Sequence, residues 1–245
     1  MTQTPEWFIS WFDTPYYHIL YKHRDDTEAH DFIDVLFYEL KLEKDAAILD
    51  LACGKGRHAI YMNQKGHHVV GYDLAEENIL FAKEFENESL HFEVRDMREN
   101  LGENEFDWVF NLFTSFGYFE SREENVKALK AIAKSLKPGG KLLIDFMNAA
   151  KVAKRLVPKE HKRAENIDFY IERFTRDNHI IKEIRFEAEG IEHQYEEKVQ
   201  MLSKQDFEEF LEKAGLTVKT YFGSLDLQPF NESTSDRLII LAEKA

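Results

Sequence analysis

The chain has 245 residues, 43% of them hydrophobic, and a formal net charge of −14. Its length supports one well-buried globular core, and its negative charge disfavours binding of DNA or bulk RNA through phosphate neutralisation. No apolar stretch approaches the roughly 18 residues of a membrane span, and the N-terminus resembles no secretory leader. Composition therefore predicts a cytoplasmic protein that acts on a small molecule, with no membrane or nucleic-acid partner.

The first 40 residues are rich in aromatic side chains, which is unusual for a free tail. They include Trp7, Phe8, Trp11, Phe12, Tyr16, Tyr17 and Tyr21. Asp31 to Leu40 then carries apolar residues at helical spacing, which predicts an amphipathic helix. Two interpretations stay open, and both can hold. Residues 1–40 form a helical layer packed on a sheet, or a lid over a binding crevice.

A glycine-rich turn follows the first apolar strand, in the stretch I-L-D-L-A-C-G-K-G-R-H from Ile48 to His58. Gly54, Gly56 and Ala59 match the spacing of dinucleotide-binding loops, and Asp73 lies at about the roughly 20-residue offset expected of an acid on a ribose. Glycine allows a ligand to lie against the backbone at a helix N-terminus. The spacing fits a nicotinamide dinucleotide and S-adenosylmethionine equally.

Acidic residues at three strand ends favour S-adenosylmethionine. Asp50 precedes the turn, where it would repel a pyrophosphate but attract the ammonium and sulfonium of the methionyl end. Asp50, Asp73 and Asp96 follow successive apolar segments at equal intervals, so parallel strands would bring them to one crevice. We expect Asp73 on the ribose diol and Asp96 on the adenine amine. Leu74 and Met97, each following an acid, would flank the adenine ring.

Several motifs stand in the order seen in class I S-adenosylmethionine-dependent methyltransferases. They are L-D-L-A-C-G-K-G-R, V-V-G-Y-D-L, V-R-D-M, F-D-W-V-F-N-L-F and L-K-P-G-G-K-L-L-I-D-F, within Ala46 to Asn148. The resemblance implies an α/β fold, a doubly wound, seven-stranded, mostly parallel Rossmann-like sheet with an antiparallel seventh strand. Ala52 replaces the first glycine of the common motif. In related small-molecule enzymes the N-terminal segment closes the site, which would let Tyr21 and Arg24 reach the methionyl carboxylate.

The fourth predicted strand, Phe106 to Phe110, ends at Asn111, beside the expected position of the transferable methyl group. Asn111 does not open the N-P-P-Y motif of enzymes that methylate base amines. It is also not an Asp opening a metal triad. His67 and His68 have no suitably spaced third ligand, and Cys53 is the single cysteine, so we predict no metal.

The pattern changes after Asn148. Ile167 to Phe174, His179 to Glu187 and His193 to Leu202 alternate apolar and charged residues, which predicts an inserted three-stranded antiparallel meander. We therefore divide the single domain 1–245 into a lid (1–40), a cofactor-binding core (46–148) and an inserted substrate-side element (160–202). Two closing strands are predicted near residues 216–225 and 237–242.

These observations predict an S-adenosylmethionine-dependent methyltransferase that acts on a nitrogen or oxygen of a small-molecule acceptor. Candidate catalytic residues, chosen by expected location, are Tyr17, His18, Tyr21, His23, Asn111 and Asp145. The alternatives are an NAD(P)-dependent oxidoreductase, against which Asp50 counts, and a non-catalytic S-adenosylmethionine-binding module. The aromatic N-terminus and the meander favour a substrate pocket over the non-catalytic module.

Overall fold

A computed structural model of the protein describes residues 7–22 and 26–245. Its strands are β1 (Ala47–Leu51), β2 (His68–Asp73), β3 (Leu90–Val94), β4 (Phe106–Asn111), β5 (Leu136–Met147), β6 (Lys159–Ala164), β7 (Ile167–Arg176), β8 (His179–Ala188), β9 (Ile191–Gln200), β10 (Leu216–Phe222) and β11 (Arg237–Lys244). Its α-helices are α1 (Trp7–Phe12), α2 (Pro15–Leu20), α3 (Asp26–Leu40), α4 (Arg57–Gln64), α5 (Glu76–Ala82), α6 (Arg122–Ser135), α7 (Ala149–Lys154) and α8 (Lys204–Ala214).

The larger sheet has seven strands in the order β10-β11-β5-β4-β1-β2-β3. Strands β1 to β5 pair in parallel, and β11 runs antiparallel to both β5 and β10. The chain starts in the centre at β1, winds outward to β3, and then returns to β4 on the other side. This confirms the predicted doubly wound sheet. It also brings the carboxyl ends of β1, β2 and β4 to one crevice, where such folds bind ligands.

Helices cover both faces of this sheet because both faces of its central strands are apolar. On one face, Leu129 and Ile132 of α6 pack with Phe207 and Phe210 of α8 in one buried cluster. A second buried cluster on the other face contains side chains from α3, α4 and α5, among them Leu36. Helix α6 begins with a capping box, in which Ser121 and Glu124 bond to each other's backbone N–H groups.

The inserted sheet differs from the prediction in its number of strands. It contains four antiparallel strands in the order β6-β7-β8-β9, whereas the alternating pattern predicted three. The missed strand, β6, reads K-E-H-K-R-A and is mostly exposed. It lies at the edge of the sheet, so its side chains need no apolar alternation, and its charges discourage pairing with another chain.

The N-terminal helices α1 and α2 pack on this inserted sheet. Trp11 and Leu20 are fully buried in a third cluster with Phe169, Ile184 and Phe186 of β7 and β8. The aromatic residues near the N-terminus are therefore largely packing residues. Their packing also sets helices α1 and α2 across the crevice of the larger sheet.

Candidate functional site

One cavity of about 670 Å³ lies at the carboxyl ends of β1, β2 and β4. Its floor is the glycine-rich loop between β1 and α4, and α1 and α2 line part of its wall. Ligand pockets commonly have volumes of roughly 300 to 1,000 Å³. The cavity is therefore large enough for an adenosyl cofactor with part of a small acceptor.

The glycine loop has the backbone conformation that its sequence predicts. Gly54 and Gly56 have positive φ angles of 56° and 82°. A Cβ on Gly56 would come within 2.8 Å of the Phe92 ring, whereas a Cβ on Gly54 would meet no atom within 4 Å. Gly54 thus has open space beside it at the cavity, where a ligand can approach the backbone. Ala52 lies in the same loop with a φ of 63°, which is strained for a residue with a Cβ.

Asp73, at the end of β2, is held between two elements of the crevice. Its Oδ2 accepts a hydrogen bond from the backbone N–H of Gly54 at 2.7 Å, and its Oδ1 accepts one from Ala75 N–H at 2.8 Å. Burial raises the pKa of Asp73 despite these bonds. A carboxylate has about four acceptor sites, so Asp73 can still accept from a further donor. The side chain lines the cavity, and it suits a pair of ligand hydroxyls.

Asp50 lies deeper than we expected, with 1% of its surface exposed. Its Oδ2 accepts a hydrogen bond from Ala59 N–H in the first turn of α4 at 3.1 Å. Burial raises the pKa of Asp50 to about 7, although the hydrogen bond from Ala59 opposes this. The carboxyl group nevertheless borders the cavity. Its contact with a methionyl ammonium stays a prediction.

Asp96 also lines the cavity, but a nearby arginine engages both of its oxygens. Arg98 Nε lies 3.0 Å from Asp96 Oδ1, and Arg98 Nη2 lies 2.6 Å from Asp96 Oδ2. Burial acts to raise the pKa of Asp96, but the hydrogen bonds and charge of Arg98 outweigh it, so the pKa is lowered. Arg98 also pairs with Glu124 at 2.7 Å. Leu74 and Met97 lie on the cavity wall, and their contact with an adenine ring stays a prediction.

Asn111 is fully buried, and its side chain bonds to the backbone of two residues that line the cavity. Its Nδ2 donates to the carbonyl oxygens of Leu51 and Ser115 at 3.0 and 3.3 Å. These bonds join the end of β1 to the loop after β4. Asn111 is not among the side chains that line the cavity, whereas Ser115 is. The predicted contact of Asn111 with the cofactor stays a prediction.

The loop after β4 contains two consecutive non-glycine residues with positive φ, Phe113 at 57° and Thr114 at 62°. Asp145, fully buried on β5, accepts a hydrogen bond from Phe113 N–H at 2.9 Å. Arg237 pairs with Asp145 and donates to Thr114 Oγ1 at 3.0 Å. Asp145 thus holds this loop, and it is not among the side chains lining the cavity.

Phe113 and Phe119 line the cavity, but side chains of the chain itself pack on their rings. Arg57 lies 4.7 Å from the centre of the Phe113 ring, and the His58 ring stacks on Phe113 at 5.1 Å. Arg98 lies 4.7 Å from the centre of the Phe119 ring. The chain's own cations therefore take up part of the aromatic surface that these two rings present to the cavity.

The candidate residues of the N-terminal helices also face the cavity. Tyr17, His18 and Tyr21 all line it. His18 Nε2 lies 2.8 Å from Asn78 Oδ1. Burial, aided by the charge of Lys55, lowers the pKa of His18. The remaining candidates of this segment, His23 and Arg24, lie outside the described residues.

A polar cluster that the sequence did not predict ties these helices to the inserted sheet. Glu197 Oε1 on β9 accepts hydrogen bonds from Trp11 Nε1 at 2.8 Å and from the Tyr21 hydroxyl at 2.6 Å. Lys182 on β8 donates to the Tyr21 hydroxyl and lies 3.6 Å from Glu197 Oε2. In the sequence, Lys182 and Glu197 are charged residues within two stretches that alternate apolar and charged side chains, and this pattern alone does not indicate that they meet.

Two further observations concern residues 7–22 and 26–245. No helix in these ranges is both long and apolar enough to cross a membrane. In the same ranges, no three His, Cys, Asp or Glu side chains lie close enough together to hold a metal ion.

Comparison with known proteins identifies the family. A model of a family described as "Methyltransferase domain" matches residues 21–221. A putative methyltransferase of Bacillus subtilis, YqeM, is 36% identical over 118 residues, which cover 47% of this chain and 48% of that protein. The dTDP-3-amino-3,4,6-trideoxy-alpha-D-glucopyranose N,N-dimethyltransferase of Streptomyces venezuelae is 29% identical over 119 residues, 48% of each chain.

The chain thus spans about half the length of these two curated relatives. A crystal structure of an S-adenosylmethionine-dependent methyltransferase from Clostridium acetobutylicum superposes with a TM-score of 0.79 at 21% identity, over 94% of this chain and 96% of that one. This likeness concerns the fold. The family match begins at Tyr21, just after α2, and ends in β10, so it includes the glycine loop and strands β1 to β5. With the observed strand order, it shows that the chain belongs to the class I methyltransferase-domain family.

Proposed function

We propose that this protein transfers the methyl group of S-adenosylmethionine to a nitrogen or oxygen of a small-molecule acceptor, with an amine preferred. The observation that carries the proposal is the placement of Asp73. Gly54 N–H and Ala75 N–H orient its carboxylate beside the open side of the glycine loop. This cradle suits the two hydroxyls of the ribose of an adenosyl group.

The reaction requires little covalent help from the protein. The bound cofactor supplies an electrophilic methyl group, and the chain's residues position the reactants and exclude water. Asp73 orients the ribose, Leu74 and Met97 enclose the adenine, and Asp50 attracts the methionyl ammonium. Phe8, Phe12 and Tyr17 of the N-terminal helices line the cavity. An acceptor amine that enters unprotonated needs only this orientation and the later loss of one proton.

Two observations support a small amine as acceptor. The Streptomyces venezuelae relative is named as an N,N-dimethyltransferase of an amino sugar. In addition, the net charge of −14 disfavours nucleic acid and favours neutral or cationic molecules. A hydroxyl acceptor is the second candidate. Action in the cytoplasm, independence from metals and the division into lid, core and insertion remain predictions.

Cofactor binding is tested first by thermal unfolding with S-adenosylmethionine, S-adenosylhomocysteine or NADH. At a hundredfold excess over the dissociation constant, a ligand of the folded state adds about 2.7 kcal/mol to the unfolding free energy. We expect a rise in melting temperature with both adenosyl ligands. A rise with NADH alone would indicate the oxidoreductase alternative.

Two variants then test the role of Asp73. Asp73→Ala should weaken binding of S-adenosylhomocysteine by about 1.5 to 3 kcal/mol, the range for lost hydrogen bonds to a charged group. Asp31→Ala, which changes an exposed carboxylate on α3, should leave the affinity unchanged. Equal affinity in the Asp73 variant and the wild type would refute the ribose assignment.

Transfer itself requires a labelled cofactor. Tritium from the methyl group of S-adenosylmethionine should enter small amines, including the dTDP-3-amino sugar accepted by the Streptomyces relative, in preference to hydroxyl compounds. Label in tRNA would overturn the small-molecule proposal. Cofactor binding without transfer to any acceptor in a broad metabolite pool would favour the non-catalytic module.

A further inference from the structure

The tautomer of His18 follows from the orientation of Asn78. Asn78 Nδ2 donates to the carbonyl oxygen of Phe12 at 3.4 Å, which turns Asn78 Oδ1 toward His18. The opposite amide orientation would place two acceptor oxygens against each other. An amide oxygen only accepts hydrogen bonds, so His18 Nε2 carries the proton and Nδ1 carries a lone pair.

The second nitrogen of His18 is available at the cavity. Among the contacts of the described residues, Nδ1 has no hydrogen-bond partner, and the half-buried ring lines the cavity. Burial and Lys55 lower the pKa of the imidazole, which keeps it neutral at pH 7. A neutral imidazole with a free lone pair is a hydrogen-bond acceptor for a ligand hydroxyl or N–H group.

The ring lies beside the elements that hold Asp73. Asn78 belongs to the first turn of α5, three residues after Ala75, whose N–H binds Asp73. The N-terminal segment is tied to the same turn a second time, because Asp13 accepts a hydrogen bond from Glu77 N–H at 2.9 Å. His18 therefore borders the end of the cavity that Asp73 faces.

We propose that His18 Nδ1 accepts a hydrogen bond from a ribose hydroxyl of the bound adenosyl cofactor, so that Asp73 and His18 both hold the ribose. This inference rests on the proposed function. It gives the N-terminal helices a direct part in cofactor recognition. It also makes the ribose hydroxyls, and not only the adenine and methionyl groups, determinants of affinity.

Calorimetry with modified ligands tests the contact. The ligands are S-adenosylhomocysteine and its 2′-deoxy and 3′-deoxy analogues, and the proteins are wild type, His18→Ala and the control His91→Ala, which changes an exposed histidine on β3. His18→Ala should weaken binding of S-adenosylhomocysteine about 3- to 10-fold, the effect of one hydrogen bond. The same substitution should have no effect on the analogue that lacks the contacted hydroxyl, and His91→Ala should have none on any ligand.

Nitrogen-15 NMR of the wild-type protein provides a measurement that needs no variant. The His18 signals should show a protonated Nε2 and an unprotonated Nδ1 before ligand is added. On binding S-adenosylhomocysteine, the Nδ1 resonance should shift, and this shift should disappear with one of the two deoxy analogues.

These experiments distinguish a failure of the proposed function from a failure of the His18 contact. If wild type binds none of the adenosyl ligands, the proposed function fails. If wild type binds S-adenosylhomocysteine but His18→Ala loses equal affinity for all three ligands, or loses none, the ribose contact is refuted. A proton on Nδ1 of His18 in the NMR spectrum would refute it as well.

Discussion

Asp145 and Arg237 form an ion pair 2.7 Å long that supports the left-handed turn at Phe113 and Thr114. Asp145 is fully buried, and burial raises its pKa although Arg237 opposes this. Both partners also bond directly to the turn. The pair thus holds two residues in a conformation that side chains disfavour, at the wall of the cavity.

We expect Arg237→Met to lower the free energy of unfolding by about 2 to 4 kcal/mol, because it leaves the buried Asp145 without its counter-charge. Asp145→Asn should cost less, since an amide oxygen can still accept from Phe113 N–H. The control is Lys219→Met, which breaks an exposed ion pair with Glu243 and should cost less than about 1 kcal/mol. Urea unfolding measures all three. Equal losses in the Arg237 and Lys219 variants would show that the buried pair has no special role.

Ala52→Gly should stabilise the protein by about 0.5 to 1 kcal/mol. A left-handed φ costs an alanine roughly 1 to 2 kcal/mol, and the greater freedom of glycine in the unfolded chain offsets part of the gain. Ala59→Gly, in the buried first turn of α4, should instead destabilise by about 1 kcal/mol. Chemical denaturation of both variants measures whether the free energy of unfolding rises in Ala52→Gly and falls in Ala59→Gly. A destabilised Ala52 variant would mean that the loop does not keep this conformation in solution.

Asp50→Asn should change stability in a pH-dependent way. The folded pKa of about 7 lies above the ordinary value of 3.8, so the folded state retains a proton that the unfolded state releases. The contribution of Asp50 to the free energy of unfolding of the wild type therefore falls as pH rises from about 4 to 7, and then stays constant. The asparagine variant has no proton to release, so its free energy of unfolding does not fall for this reason.

Unfolding of both proteins at pH 4.5 and pH 8 tests this prediction. The advantage of Asp50→Asn should be small at the lower pH and should reach about 2 to 4 kcal/mol at the higher one. The variant should also bind S-adenosylmethionine more weakly, because it lacks the negative charge that we propose attracts the methionyl ammonium. An advantage that is independent of pH would contradict the elevated pKa.

Glu197→Ala should loosen the N-terminal helices. Trp11 Nε1 and the Tyr21 hydroxyl would lose their common acceptor, and Lys182 would lose its carboxylate. Hydrogen exchange in residues 7–22 should then accelerate about tenfold or more, while exchange in α4 stays unchanged. Glu196→Ala on the same strand, whose carboxylate meets Arg176 at 3.4 Å, is the matched control and should affect neither region.

Cofactor binding and methyl transfer should both be insensitive to EDTA, because positioning and electrostatics suffice for displacement at a sulfonium. The check is binding and activity before and after chelation. A loss that Mg²⁺ or Zn²⁺ restores would show that a metal takes part.

The features predicted from sequence are those encoded by neighbouring residues. The apolar run before Gly54 and the acid at the end of β2 are local patterns, and each lies where predicted. The ion pair between Asp96 and Arg98 is also local, since Arg98 follows two residues later. The adenine contact expected of Asp96 leaves this pairing out of account.

Other features depend on residues distant in sequence. Arg237 lies 92 positions after Asp145, and no pattern near either residue indicates the other. The tautomer of His18 depends on Asn78, 60 positions away. Strand β6 is an exposed edge, where burial imposes no alternation for a sequence pattern to reveal. Such features follow from topology and are accessible only once the strand order is known.

The bond between Trp11 and Glu197 also has a consequence for biosynthesis. These residues are 186 positions apart, so α1 is synthesised long before its acceptor on β9 exists. Domains begin to fold while the chain is still being made, at about 5 to 20 residues per second. Glu197 is therefore synthesised on the order of ten seconds or more after Trp11. During this interval the indole N–H lacks its acceptor and the apolar surface of Trp11 stays exposed. A ribosome-bound chain truncated before β9 should be more readily captured by chaperones that bind exposed aromatic segments than one extended past Gln200.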